Sequence, residues 1–206
     1  MIDEFLTFSK ESEAELIEKK SRFIAAGCAC YAQSEAESFI QARRLAHRGA
    51  RHTAFAYRIE GLERMSDDGE PQGTAGVPIL NLLKGENILN AVIAVTRYFG
   101  GTLLGTGGLV RAYGGAAKLC LANSLCLHKR CARARAVVSY HNWGKIQHMM
   151  SLVDLAQTEP AYTDQVEFGF IMPYDQAAPF LKRIEDTVNG DILILETTEL
   201  FHRYPF

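Results

Sequence analysis

The stretch ILNAVIAVTRYFGGTLLGTGGLVRAYGGAAKLC, residues 88–120, decides how this chain folds. It begins with an apolar, β-branched run, residues 88–95, which predicts a buried strand. Glycines then permit a loop conformation that side chains would restrict. They are Gly100, Gly101, Gly105, Gly107 and Gly108. Apolar residues next recur at helical spacing, which predicts a helix closing near Ser124. A strand, a glycine loop and a helix start allow backbone N–H groups to converge on an anion.

The composition is that of a globular protein with one large domain or two small ones. The 206 residues are 48% hydrophobic and 22% charged, and the formal net charge is −2. Residues 1–128 carry 14 Lys and Arg against 14 Asp and Glu, and residues 129–206 carry 8 against 10. No global basic field would therefore hold the chain on nucleic acid, and such contact needs a local patch.

The N-terminus is acidic and lacks the basic and apolar parts of a signal peptide. No apolar run approaches the length of a membrane span, so we expect no membrane partner. The chain has five cysteines, an odd number, and we expect them to be reduced and buried as small apolar residues. We therefore expect a cytoplasmic protein without a cofactor.

Upstream of the central stretch, we predict strands at residues 11–18 and 23–31, joined by a short basic turn. Ser34 and Glu37 have the spacing of a capping box, which predicts a helix to about His47. A strand at residues 52–59 and a long polar connection at 61–73 follow. Thr74 is then predicted to cap a helix over residues 75–84.

Downstream, the cationic run of residues 127–135 is interpreted as a linker between domains 1–128 and 129–206. The second domain has strands predicted at 134–140, 155–158, 165–172 and 192–200. Helices are predicted at 143–153 and 175–189. The order βαββαβ predicts a ferredoxin-like domain.

Three segments resemble the signature of the IMPACT family, in its short bacterial, YigZ-like form. They are KSRF at residues 20–23, SDDGEPQGTAGVP at 66–78 and RYFGGTLLGTGGLVRAY at 97–113. The resemblance implies an α+β chain in two parts. The first is an α/β sandwich like the second domain of a small-subunit ribosomal protein, with helices on one face of its sheet. The second is ferredoxin-like.

The resemblance also bears on function. A similar tandem of domains works inside the ribosome in the translocating elongation factor, and eukaryotic relatives regulate translation through an extra N-terminal partner-binding module. The sequence begins at the signature domain, so we expect that module, and its partner contact, to be missing. The family name brings no firm molecular activity for the bacterial form.

The glycine loop fits neither nucleotide-binding pattern. It lacks the Lys that follows the last glycine of a phosphate-binding loop, and the third glycine of a dinucleotide fingerprint. The loop either forms a tight turn that allows the strand and the helix to pack closely, or it contacts a phosphate of an RNA backbone or a small anion. The candidate phosphate or RNA contacts are Arg22, Arg97, Tyr98, Gly100, Gly101, Gly105, Gly107, Gly108 and Arg111. Tyr98 could stack on a base or lie in the core, whereas Phe99 is expected in the core.

The acidic loop with Asp67, Asp68 and Glu70 has three interpretations. Its carboxylates could hold a divalent cation, although their spacing does not match a Ca²⁺ loop. The loop could also be a plain capped turn. If Glu70 or Asp68 orients Arg97, the loop would shape a site without a metal, and this is the role we assign to it.

The sequence carries no recognisable catalytic constellation. It has no Gly-x-Ser-x-Gly elbow and no His-Glu-x-x-His pair, and His47 and His52 lie on either side of a glycine break. We therefore expect a binding protein that regulates translation through the ribosome or structured RNA, and assign no catalytic or metal-binding residue. The alternative is a small-molecule phosphotransferase, or another anion-binding enzyme, on the first domain.

Overall fold

The computed structural model describes residues 2–205, which fold into two compact units. The larger unit is Phe5–Cys126, and the smaller is made of residues 2–4 and 127–205. The strands are β1 (Glu4–Phe8), β2 (Ser12–Glu18), β3 (Ser21–Ala29), β4 (His52–Ile59), β5 (Leu62–Ser66), β6 (Ala91–Tyr98), β7 (Leu125–Val138), β8 (Ala156–Gln157), β9 (Ala161–Tyr162), β10 (Val166–Pro173) and β11 (Ile192–Tyr204). The helices are α1 (Gln33–Ala46), α2 (Gly76–Gly85), α3 (Thr106–Leu121), α4 (Tyr140–Ser151) and α5 (Tyr174–Thr187).

The larger unit contains an antiparallel sheet in the order β2-β3-β6-β4-β5. Its central strand, β6, is buried along its length except at Tyr98, as the apolar run predicted. The strand begins three residues later than predicted, at Ala91. Asn90 has a φ of 54°, a left-handed conformation that interrupts extended backbone directly before it.

Helices cover both faces of this sheet. Helices α2 and α3 pack on the face of Phe23, Ala54 and Ile93. Helix α1 packs on the opposite face, with Tyr57 and Val92, because neighbouring residues of a strand point to opposite faces. The expectation of helices on one face alone is therefore wrong for α1.

The caps predicted for two helices are also wrong. Helix α1 begins at Gln33, ahead of Ser34, and Glu35 rather than Glu37 accepts a backbone hydrogen bond, from Tyr31 N–H at 2.7 Å. Helix α2 has no side-chain cap from Thr74, whose hydroxyl donates to the Pro71 carbonyl at 2.6 Å. Strands β1, β5 and β9 were not predicted, and β5 lies where the long polar connection was expected.

The smaller unit confirms the ferredoxin-like prediction. Its main strands lie in the antiparallel order β11-β7-β10-β8, and α4 and α5 follow β7 and β10 along the chain. Both helices contribute to one apolar core with the strands, through Trp143, Ile146, Phe180 and Ile184. The whole described chain is thus α+β, with two antiparallel sheets.

The cationic run is not a linker, because it lies inside β7. Arg130 pairs with Glu199 across the sheet at 2.7 Å, and Arg135 pairs with Glu167. Lys129 lies 3.8 Å from a carboxylate oxygen of Glu4. The charges that suggested a solvated linker are therefore largely balanced by acidic residues of neighbouring strands.

Candidate functional site: the glycine loop and its surroundings

The glycine loop joins β6 to α3 and leaves the start of that helix open. Gly101 and Gly105 have φ of 82° and 74°, which favour glycine, and Gly105 is the N-cap residue. No side chain caps α3, and its first turn contains no acidic residue. Exposed N–H groups and the positive end of the helix dipole therefore face solvent from Thr106 onward.

Gly100 fixes this loop to the turn between β2 and β3. A Cβ atom at Gly100 would lie 2.0 Å from the carbonyl carbon of Lys20, which is too close for any side chain to be accommodated at this position. The Gly100 N–H also donates to the Ser21 hydroxyl at 3.1 Å. The glycine loop and the basic turn are therefore held together.

We expect Gly100→Ala to lower the free energy of unfolding of the larger unit by about 2–3 kcal/mol, because two backbones would have to separate. Gly85→Ala is the matched control, since its Cβ meets no atom within 4 Å. Urea unfolding of both variants measures the difference. Equal stabilities would contradict the close packing of Gly100 on Lys20.

Behind the loop, Arg97, Glu70 and Tyr113 form a buried polar cluster. Arg97 Nη1 donates to both carboxylate oxygens of Glu70, at 2.8 and 3.0 Å. Tyr113 Oη donates to Glu70 Oε1 at 2.8 Å. Burial raises the pKa of Tyr113, and the negative charge of Glu70 raises it further, so the phenol remains a donor. Glu70 thus orients Arg97, which is one of the roles considered for the acidic loop.

The other two acidic residues bind the backbone of the larger unit. Asp67 accepts hydrogen bonds from the N–H groups of Gly73, Ala75 and Gly76 at 2.7–2.9 Å, so it caps α2 in place of Thr74. The neighbouring Asp68 accepts through Oδ2 from Thr53 N–H at 2.7 Å and through Oδ1 from Arg44 Nη2 at 2.6 Å. Within residues 2–205, no group of three or more His, Cys, Asp or Glu side chains is placed to hold a metal ion.

His52 is oriented by the same loop. Its Nδ1 lies 2.7 Å from the carbonyl oxygen of Asp68. A carbonyl oxygen only accepts, so Nδ1 carries the proton and Nε2 of the neutral ring is an acceptor. His52 pairs with Arg97 across β4 and β6, which places the two side chains at the same end of the sheet.

Tyr98 is half-buried beside α1 rather than in the sheet core. Its hydroxyl contacts His47 Nδ1 at 3.1 Å, while Arg43 approaches His47 Nε2 at 3.3 Å. Burial lowers the pKa of His47, and the positive charge of Arg43 lowers it further. Phe99, which was expected in the core, is instead 55% exposed and faces solvent beside the loop.

Six exposed basic residues surround the glycine loop, and they come from three separate segments. They are Lys19, Lys20, Arg22, Arg48, Arg51 and Arg111, and we call them the cationic face. Contacts place each segment there.

Lys20 touches Gly100, and the guanidinium of Arg22 lies 5.7 Å from the ring centre of Tyr98. Arg48 precedes Gly49, which packs near the same ring. Two further contacts complete the face: Arg51 lines a cavity with Phe99, and Arg111 lies beside Gly107.

Most of this charge is not balanced locally. Arg22 pairs with Glu15 at 2.6 Å, in an exposed contact of small energetic value. For the other five members, no carboxylate of residues 2–205 lies within 4.0 Å in an ion pair. The cationic face therefore carries a local positive field, although the chain as a whole is slightly acidic.

The structure brings most of the residues singled out in the sequence to this end of the larger unit. Arg22, Arg111 and the glycines lie at the surface, whereas Arg97 lies behind them, bound to Glu70. The basic residues Lys19, Lys20, Arg48 and Arg51 were not recognised as site residues. The feature that could have identified them is their position in turns directly before β3 and β4, the two strands that flank β6.

The cysteines are poor candidates for chemistry. All five are free, and Cys30, Cys120 and Cys131 are buried. Burial raises the pKa of Cys28 to about 11 and that of Cys30 to about 12, so both remain thiols near neutral pH. Burial likewise raises the pKa of Cys120 to about 11.

Among the described residues, no helix combines the length and the apolar character needed to cross a membrane. The fold and the site together define a protein of two α+β units, with a glycine loop and a buried Arg–Glu pair in the larger one.

Comparison with known proteins identifies the family. A model of the Impact N-terminal domain matches residues 19–121. IMPACT family member YvyE of Bacillus subtilis (strain 168) is 33% identical over 194 residues, which is 92% of this chain and 89% of that protein. IMPACT family member YigZ of Escherichia coli (strain K12) is 32% identical over 188 residues, 88% and 92% of the two chains. This chain belongs to the IMPACT family.

A solved structure extends the likeness to the fold of nearly the whole chain. A crystal structure of a hypothetical protein shares 29% identity with a TM-score of 0.61, over 95% of this chain and 98% of that one. Two units of mixed α and β structure are thus found in a related chain of similar length.

Proposed function

We propose that this protein binds structured RNA in the cytoplasm, in the setting of the ribosome, and regulates translation through that contact. The observation that supports the proposal is the cationic face around the open start of α3. Five of its six basic residues lack an ion-pair partner within residues 2–205, so their charge is available to phosphates.

The parts of this face suit a nucleic-acid backbone. Lys and Arg side chains neutralise phosphates, and exposed N–H groups at a helix start donate hydrogen bonds to an oxyanion. The 55% exposed ring of Phe99 offers a surface on which a base can stack. The basic residues of β7 suit this role less well, because carboxylates of the same unit already pair with Arg130 and Arg135.

Co-sedimentation with ribosomes at low and at moderate salt tests the proposal. We expect the wild type to pellet at low salt and less at moderate salt, and the triple variant Lys20→Ala, Arg51→Ala, Arg111→Ala to lose most of the pelleting. All three residues are exposed, so the variant is expected to fold.

The matched control replaces three exposed basic residues outside the cationic face, Lys10, Lys118 and Lys182. This control carries the same change in net charge and should pellet like the wild type. Wild-type protein that fails to pellet at low salt, or two triple variants that behave alike, would overturn the proposal.

A further inference from the structure

A cavity of about 280 Å³ opens beside the glycine loop, between the ends of β4 and β6. Its lining residues are Arg51, His52, Arg97, Phe99 and Leu103. Sites for drug-sized molecules usually measure about 300–1,000 Å³. The cavity therefore has room for one ring system, and the rest of a longer ligand would lie outside its mouth.

Arg97 supplies the buried polar group of this cavity. Its side chain is only 9% exposed, and Glu70 binds one of its three nitrogens, Nη1. Nε is buried and has no hydrogen-bond partner among the described residues. A buried donor without a partner costs free energy, so Glu70 alone does not satisfy the Arg97 guanidinium.

The other polar groups that line the cavity are His52 and Arg51. His52 donates through Nδ1 to the Asp68 carbonyl, which leaves Nε2 of the neutral ring as an acceptor. Arg51 is exposed and adds a positive charge at the mouth of the cavity. The cavity is thus lined by the partly satisfied guanidinium of Arg97, the His52 ring and the exposed cation of Arg51.

The apolar walls are unusually open. Leu103 is 82% exposed and Phe99 is 55% exposed, although both line the cavity. The centre of the Phe99 ring lies 5.5 Å from the Arg97 guanidinium carbon, within range of a cation–π contact. A planar ligand placed against Phe99 and Leu103 would remove both side chains from water.

We propose that this cavity binds a single nucleotide unit. The base packs against Phe99 and Leu103, its polar edge meets Arg97 and His52, and its phosphate lies near Arg51. Base edges carry donors and acceptors together, and a phosphate matches the cation at the mouth. The unit comes either from an unpaired position of RNA, in which case the inference rests on the proposed function, or from a free nucleoside monophosphate.

Binding of short RNAs to Phe99→Ala tests this inference. We expect the variant to bind a single-stranded RNA pentamer about tenfold more weakly than the wild type, because the stacking of one base on the aromatic ring is lost. Its affinity for a blunt-ended RNA duplex should stay unchanged. Leu103→Ala should also weaken binding of the pentamer. Because Leu103 is 82% exposed, this substitution is not expected to disturb folding, so a loss of affinity would report on the cavity.

The matched control is Tyr31→Ala, which removes an exposed aromatic residue at the far end of β3 and should bind both RNAs like the wild type. Equal affinity of wild type and Phe99→Ala for the pentamer, with ribosome binding intact, would overturn the nucleotide cavity alone. Titration with the four nucleoside monophosphates separates the two sources. If a nucleoside monophosphate binds saturably, Phe99→Ala weakens that binding and no RNA binds, the nucleotide cavity is retained. The same result would overturn the proposed function.

Discussion

Glu70→Ala is expected to lower the free energy of unfolding of the larger unit by about 3–5 kcal/mol. The substitution would leave the Arg97 guanidinium charged and buried without its carboxylate, and the Tyr113 hydroxyl without its acceptor. Breaking a buried ion pair from one side costs more than the pair itself contributes, because the remaining charge has lost its water. Urea denaturation followed by far-ultraviolet circular dichroism measures this loss.

Two variants separate this mechanism from a general effect of removing a glutamate. Glu60→Ala removes an exposed carboxylate outside any ion pair of residues 2–205, and should stay within about 0.5 kcal/mol of the wild type. Adding Arg97→Met to Glu70→Ala should recover part of the loss, since no unpaired charge is then buried. A change below about 1 kcal/mol for Glu70→Ala would contradict the buried pair.

Asp67→Ala is expected to lower the free energy of unfolding by about 2–4 kcal/mol, because two backbone N–H groups at the start of α2 and one in the turn before it lose a charged acceptor. Thr74→Val, at the position first predicted as the cap, should cost about 1 kcal/mol or less, since its hydroxyl bonds only a carbonyl. The two variants compared by urea denaturation decide which residue caps the helix. A larger loss for Thr74→Val would contradict this assignment.

The same carboxylate gives a prediction for pH. Burial alone would raise the pKa of Asp67, but the N–H groups of Gly73, Ala75 and Gly76 outweigh it and hold that pKa below its ordinary value. A lowered pKa stabilises the folded state above the unfolded-state pKa, and this contribution is lost as the pH falls through the folded-state value. The stability difference between wild type and Asp67→Asn should therefore be constant near neutral pH and shrink below about pH 4. A difference that grows in acid would contradict the assignment.

The sequence was sufficient for the central element of the fold. A β-branched run, a glycine-rich loop and an apolar helix repeat follow one another in residues 88–120, and each signal is local. The start of β6 was predicted three residues too early, because the left-handed conformation of Asn90 interrupts the extended backbone within an otherwise apolar run. The cap of α2 was missed because Asp67 lies eight residues before the N–H of Ala75, outside any local capping pattern.

The cationic run shows how charge can conceal a strand. Arg133 and Arg135 are exposed, while Ala132, Ala134 and Ala136 between and beside them are buried. This alternation has the period of a strand, yet the density of charge favoured a linker. The deciding information was the identity of the neighbouring strands, which supply Glu167 to Arg135 and Glu199 to Arg130.

The candidate site was predictable only where its residues are close together in the sequence. The glycine loop and the basic residues near it belong to one stretch, and a role for Glu70 in orienting Arg97 could be considered from residue types alone. The cationic face also needs Lys20 and Arg51, which lie 80 and 49 residues before Gly100 by their numbers. Only the strand order β3-β6-β4 brings their turns together.

The salt dependence of binding to a structured RNA tests the central proposal most directly. The logarithm of the affinity should fall linearly with the logarithm of the salt concentration. For the variant Lys20→Ala, Arg51→Ala, Arg111→Ala, the slope should be smaller in magnitude by about 2–3, because three phosphate contacts are lost. Parallel lines for the wild type and this variant would contradict an RNA contact through the cationic face.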